Sequence, residues 1–132
     1  MKYAFIDYEN LNSLNGVKLE QYEKIFIFIG AAPNQAEIRI SEKFTDKINI
    51  SLITVKQIAQ NNVDFHLSYY LGKLDQTAPK SVEFHVLSKD LGYQGICNFI
   101  RQQKTPRHCL LVQPESAVKI TKDFFDTTQQ QN

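Results

Sequence analysis

An α/β fold with a mainly parallel sheet, covered on both sides by helices, follows from three features of this 132-residue sequence. Tyr3-Ala4-Phe5-Ile6 and Ile25-Phe26-Ile27-Phe28-Ile29 are apolar without alternation, the pattern of strands buried on both faces. Such runs alternate with polar segments carrying helical periodicity, the arrangement of crossover connections between parallel strands. No internal repeat or linker divides the chain. A single domain is therefore expected over residues 1–126, with a frayed tail at 127–132.

The first strand runs through Ile6 and stops at Asp7. Asn10 to Gly16, rich in Asn, Ser and Gly, reads as a loop, and Lys18 to Lys24 as one or two helical turns. Ile25 to Ile29, stopped by Gly30, is the strongest strand and belongs near the middle of the sheet. Pro33 and Asn34 open a helix through about Lys47, in which Ile38, Phe44 and Ile48 recur at helical spacing. Ile50 to Val55 is a third strand. Gln60-Asn61-Asn62 supplies turn and capping residues for a helix over Val63 to Leu74. Val82 to Leu87 is a fourth strand, followed by the turn Ser88-Lys89-Asp90-Leu91-Gly92 and a helix from Tyr93 to Gln103. Arg107 to Val112 is a short fifth strand, and Ser116 to Phe125 a last helix.

Composition narrows the function. Fifteen basic and 14 acidic residues give a net charge of +1, so bulk polycationic binding to nucleic acid is not indicated and local patches must decide. Cys97 and Cys109 match no zinc or redox spacing and read as buried free thiols of a reducing compartment. No apolar run reaches the roughly 20 residues of a membrane span, and the N-terminus has no signal-peptide pattern. A cytoplasmic protein without membrane association is expected.

Three acids carry the chemistry. Asp7 lies directly after the first strand and Asp90 just after the fourth, so neighbouring parallel strands would point both into one crevice beyond their carboxyl ends. Asp64 falls in the first turn of the helix after the third strand, whose N-terminus lies at the same edge. Taken singly, Asp64 also suits the helix dipole, Asp90 turn capping, and Asp7 a structural role. Together they make an oxygen-only donor set suited to Mg²⁺ or Mn²⁺, and hence to metal-assisted hydrolysis of a phosphodiester. Asn10 could hold Asp7 or reach an ion through water. Ser88 could contact a phosphate or an aspartate, and Gln35 could contact substrate. Glu9 and Glu37 are candidate fourth acids.

Four segments then carry a resemblance. Phe5-Ile6-Asp7-Tyr8-Glu9-Asn10, Ile29 to Gln35, Asn62 to Gly72 and Val86 to Tyr93 stand in the order and spacing of the PIN-like superfamily. The sequence is similar in particular to small bacterial PIN-like domains of the NYN type. The resemblance implies a Rossmann-like three-layer sandwich with a five-stranded sheet of order 3-2-1-4-5, and metal-dependent nuclease activity, usually on RNA. It carries Asp7, Asp64 and Asp90 over as catalytic metal ligands for Mg²⁺ or Mn²⁺, with Asn10 and Ser88 supporting them. The fourth acid of many PIN domains has no clear counterpart.

The expected activity is that of a divalent-metal-dependent endoribonuclease, with RNA or single-stranded DNA as partner and a homodimer compatible with the fold. The alternative is a catalytically inactive PIN-like module that binds nucleic acid or protein. A receiver domain would need an acceptor aspartate after the third strand, where Val55-Lys56-Gln57 stands, and dinucleotide binding would need a glycine-rich turn after the first. Arg39, Lys43, Arg101, Lys104 and Arg107 are candidate phosphate contacts, and Tyr8 or Tyr93 candidate base-stacking rings. His66, His85 and His108 share no ligand spacing.

Overall fold

The computed structural model describes residues 1–30, 38, 48–55 and 62–114. Strand β1 (Lys2–Asp7) leads into a one-turn helix α1 (Tyr8–Leu11), a 3-10 turn (Leu19–Gln21) and β2 (Lys24–Gly30). Then come β3 (Asn49–Val55), α2 (Asn62–Thr77), β4 (Glu83–Leu87), α3 (Tyr93–Arg101) and β5 (Cys109–Val112). All described strand pairings are parallel, in the order β3-β2-β1-β4-β5. That is the α/β architecture expected from the unalternating apolar runs. Among the described residues no helix is long and apolar enough to cross a membrane.

Period-two alternation divides the interior into two cores. Tyr3, Phe5, Phe28, Phe84 and Val86 face α2 and α3, packing on Val63, Leu67, Leu71, Tyr93, Cys97 and Ile100. Phe5 and Phe84 touch with ring centroids 4.9 Å apart, and Phe5 stacks on Phe26 at 5.2 Å. Ala4, Ile6, Ile25, Ile27, Ile29 and Leu87 face the opposite side, against Tyr8, Leu11, Leu14, Leu19 and Tyr22. Asp7 continues the series of positions 3 and 5, so at the end of β1 its side chain turns toward α2 and α3. That parity sets up the site.

The direction of winding reverses at β1. The chain moves from β1 to β2 and β3 toward one edge, then returns over the sheet through α2 to place β4 on the other side of β1. The carboxyl ends of β1 and β4 therefore flank the switch point, where ligands gather in open parallel sheets.

Several sequence expectations shift. The loop expected from Asn10 starts instead at Asn12, because Tyr8–Leu11 forms helix α1, which the Asp7 carboxylate caps, Oδ1 accepting from Asn10 N at 3.1 Å. The helix ends after one turn at Asn12, whose φ of 57° is left-handed. Helix α2 runs three residues beyond Leu74, to Thr77. The expected helices over Pro33–Lys47 and Ser116–Phe125, and the tail, lie outside the described residues. Cys97 and Cys109 are buried free thiols, as their apolar surroundings suggested.

Arg107, a candidate phosphate contact by sequence, is instead buried structure. Its Nε donates to Asp75 Oδ1 at 2.7 Å, and its two terminal nitrogens donate to the carbonyls of Asp75, Ala78, Pro79 and Val82. Its guanidinium also lies 4.1 Å from the Phe84 ring centroid. Arginine suits the position because its planar fork satisfies several acceptors past the end of α2 at once. The Asp75 carboxylate, despite burial, is held below the usual range by Arg107 and Lys80. Removing the guanidinium strands these acceptors in the core. Arg107→Ala is expected to lower unfolding free energy by about 3–5 kcal/mol, read from the midpoint of denaturant unfolding.

Candidate active site

Asp7 is 2% exposed at the end of the central strand. An ionised carboxylate in that position needs partners, and it has two kinds. Oδ1 accepts from the backbone of Asn10, and Oδ2 accepts from the Tyr93 hydroxyl at 2.8 Å. Tyr93 is buried at the start of α3 and points its hydroxyl toward the carboxyl edge. The same hydroxyl lies 3.0 Å from Oδ1 of Asp64, in the first turn of α2. One phenol thus bridges two acids from distant parts of the chain.

Asp90 occupies the turn between β4 and α3. Its Oδ1 accepts from Gly92 N at 2.8 Å, and its own N–H donates to Ser88 Oγ at 3.1 Å, side-chain bonds that shape the turn locally. Ser88 is fully buried and donates to Asn10 Oδ1 at 3.1 Å, while Lys89 N reaches the same oxygen at 2.7 Å. Asn10 therefore performs two tasks. Its backbone steadies Asp7 and its side-chain carbonyl fastens the Asp90 turn to α1.

Asp64 and Asp90 line one cleft of about 210 Å³ together with Phe65, Ser68, Gly92, Tyr93 and Ile96. The three predicted acids are thus brought to one edge, as two overlapping pairs. Asp7 and Asp64 meet on Tyr93, and Asp64 and Asp90 line the same cleft. Among the described residues no three His, Cys, Asp or Glu side chains form a group placed to hold a metal ion. The donor set still fits a hard divalent cation. It consists of oxygens, two of which converge on a single point, and Mg²⁺ is commonly held by one or two carboxylates with water completing its shell.

The field supports the same view. Burial pushes the Asp7 carboxyl up to about 6, against hydrogen bonds from Tyr93 and Asn10 that pull it down, with the charges of Asp64 and Glu9 adding to the rise. Burial, with Asp7 and Asp64 nearby, drives the Tyr93 phenol well above its ordinary value, so it stays a proton donor. Glu9 stands close by. A Cβ added to Gly30, at the end of β2, would lie 2.5 Å from Glu9 Oε2, so the glycine leaves room for this acid.

Other expectations resolve differently. Gln35, Glu37, Arg39 and Lys43 lie outside the described residues. Tyr8 and Tyr93 are buried and offer no ring face to a base. Among the described residues the exposed aromatics are Phe65, on the cleft wall, Tyr69, one turn further along α2, and Phe99 on α3. Arg101 is engaged by the Cys109 carbonyl and the Asn98 side chain. His85 accepts or donates within a chain from Tyr22 Oη to Glu83 on the opposite face, and His66 contacts the Asn62 carbonyl. The bridging role of Tyr93 is not among the sequence expectations; its only signal there is a phenol three residues after Asp90, at a helix start.

The raised Asp7 value has a stability consequence with a definite sign. Above about pH 7 the folded protein buries a charge that the unfolded chain leaves in water, a cost relieved as pH falls through about 6 toward 4. In chelator-containing buffer, Asp7→Asn is expected to be more stable than wild type by on the order of 2 kcal/mol above about pH 7. The advantage should shrink toward about pH 4, as measured by denaturant unfolding across pH.

A family model described as a PIN domain covers residues 1–109. No curated protein and no solved structure matches the chain significantly. With the parallel sheet of order 3-2-1-4-5 and acids gathered at its carboxyl edge, the chain belongs to the PIN domain family, whose members are generally metal-dependent nucleases.

Proposed function

We propose that the chain is a Mg²⁺- or Mn²⁺-dependent endoribonuclease of the NYN type. The observation that carries this reading is the convergence of Asp7 Oδ2 and Asp64 Oδ1 on one point, beside a cleft that Asp90 also lines. A divalent ion bound there supplies polarisation of the phosphodiester and a lowered pKa for water. Asp7 and Asp64 would hold it, with Asp90 offering a further carboxylate from the cleft wall. Asn10 and Ser88 keep the Asp90 turn in register with β1, and Tyr93 ties the first two acids together before an ion enters.

The wall of the cleft suits a single strand. Phe65 is 70% exposed and Tyr69 66%, and Lys73 follows one turn later, also exposed. Aromatic faces for bases with a cation for phosphate are the ordinary means of holding unpaired nucleotides. RNA is the favoured substrate, with single-stranded DNA second. The other reading, a catalytically inactive module binding nucleic acid or protein, draws on the lack of a compact three-acid group among the described residues.

The deciding assay incubates the protein with single-stranded and structured RNA, with Mn²⁺ or EDTA, beside Asp64→Asn and Asp90→Asn. Cleavage is expected with Mn²⁺ only, and each variant should lose at least about 100-fold. Cleavage in EDTA, or undiminished cleavage by Asp90→Asn, refutes the mechanism, whereas binding without product assigns the inactive module. Phe65→Ala should weaken oligonucleotide binding by about tenfold in fluorescence anisotropy performed in EDTA, with folding unchanged.

A further inference from the structure

We propose that the Tyr93 hydroxyl is a latch that occupies the place of the ion between Asp7 and Asp64, so that loading the site requires it to release at least one of them. This inference rests on the metal-site reading above and concerns how that site is filled. The oxygens of Asp7 and Asp64 lie 2.8 and 3.0 Å from the same phenol oxygen. A hydroxyl carries one proton, so two carboxylates share a donor that fully satisfies one. The pair is held together with its negative charge only partly offset.

An ion drawing on both oxygens must enter the region into which the O–H bond points. The positive end of that dipole opposes a cation there, and a neutral phenol is a poor substitute ligand beside carboxylates and water. The ring itself cannot withdraw far, because it is packed with Cys97 and Ile100 in the core beneath α2 and α3. Of the two acids, Asp7 is buried and tied to Asn10, whereas Asp64 is half-buried at the cleft. The Tyr93–Asp64 bond is therefore the one that opens.

The latch gives the two acids a defined arrangement and lowers their intrinsic affinity for the ion. Loading then gains from any further oxygen ligand that enters the cleft. A phosphodiester is such a ligand, so ion and substrate reinforce each other's binding. Tyr93 is on this view a positioning residue that tunes occupancy.

Tyr93→Phe removes the hydroxyl and keeps the ring. Metal-free wild type and variant are titrated with Mn²⁺ in the absence of nucleic acid, by calorimetry and by the electron paramagnetic resonance of free ion. The variant is expected to bind about tenfold more tightly, since one hydrogen bond to a charged group no longer has to be given up. A hydroxyl that merely supports the fold, or assists the ion, predicts equal or weaker binding by the variant and overturns the latch. Wild type bearing ¹³C-labelled tyrosine provides a second measurement that needs no variant. Added Mg²⁺ should shift a tyrosine ring resonance reversibly, and unchanged tyrosine resonances at saturating Mg²⁺ overturn the proposal. If neither protein takes Mn²⁺, the metal reading falls together with the latch. If wild type binds and the variant binds no more tightly, only the latch falls.

Discussion

A carboxylate with almost no access to water, at the end of a central strand, is the constraint around which this molecule is arranged. Asp7 is turned toward α2 and α3 by the alternation of β1, and its charge is tolerable only where donors converge. The first donor comes from the start of α1, which the carboxylate itself caps. The second comes from α3, which must begin at Tyr93 for the hydroxyl to arrive. The third participant, Asp64, adds negative charge instead of removing it. No requirement of packing brings a second acid toward a buried first one. Their meeting at the edge where parallel sheets bind ligands is what separates a site from an ordinary helix cap.

Two other polar constellations show the contrast. Arg107 and Asp75 satisfy each other and four neighbouring carbonyls in the core, with Lys80 as a further partner for Asp75. Nothing is left over for a ligand. Tyr22, His85 and Glu83 form a chain on the far face, in which burial and the charge of Glu83 push the Tyr22 phenol up to about 12. Both are complete within the protein. Around Asp7, by contrast, negative charge is in surplus, and its neighbour Asp64 opens onto the cleft that Asp90 also lines.

The sheet was legible because its strands are apolar on both faces, and an unalternating run as short as Ile25 to Ile29, closed by Gly30, suits a strand covered from both sides. The acids were legible by position, each standing at a strand end or helix start that topology sends to one edge. Helix α1 was not, since four residues carry no periodicity and the following Asn-Ser-Gly composition argues for a loop. The Tyr93 bridge was hidden for another reason. Its partners stand 86 and 29 residues away, and the deciding atom is one hydroxyl beyond an otherwise apolar ring. Arg107 misled because a lone arginine looks like surface until Asp75, 32 residues earlier, is seen beneath it.

The strand order has an implication for synthesis on the ribosome. The segment that becomes the middle of the sheet is made well before its neighbour on one side, Glu83–Leu87, which follows β2, β3 and α2 in the chain. Until then an apolar ribbon, Tyr3 to Ile6, exposes a row of unpaired amides and carbonyls, the kind of edge on which nascent chains associate wrongly. Asp90 lies beyond that late strand, so the acids cannot come together before this vulnerable interval has closed.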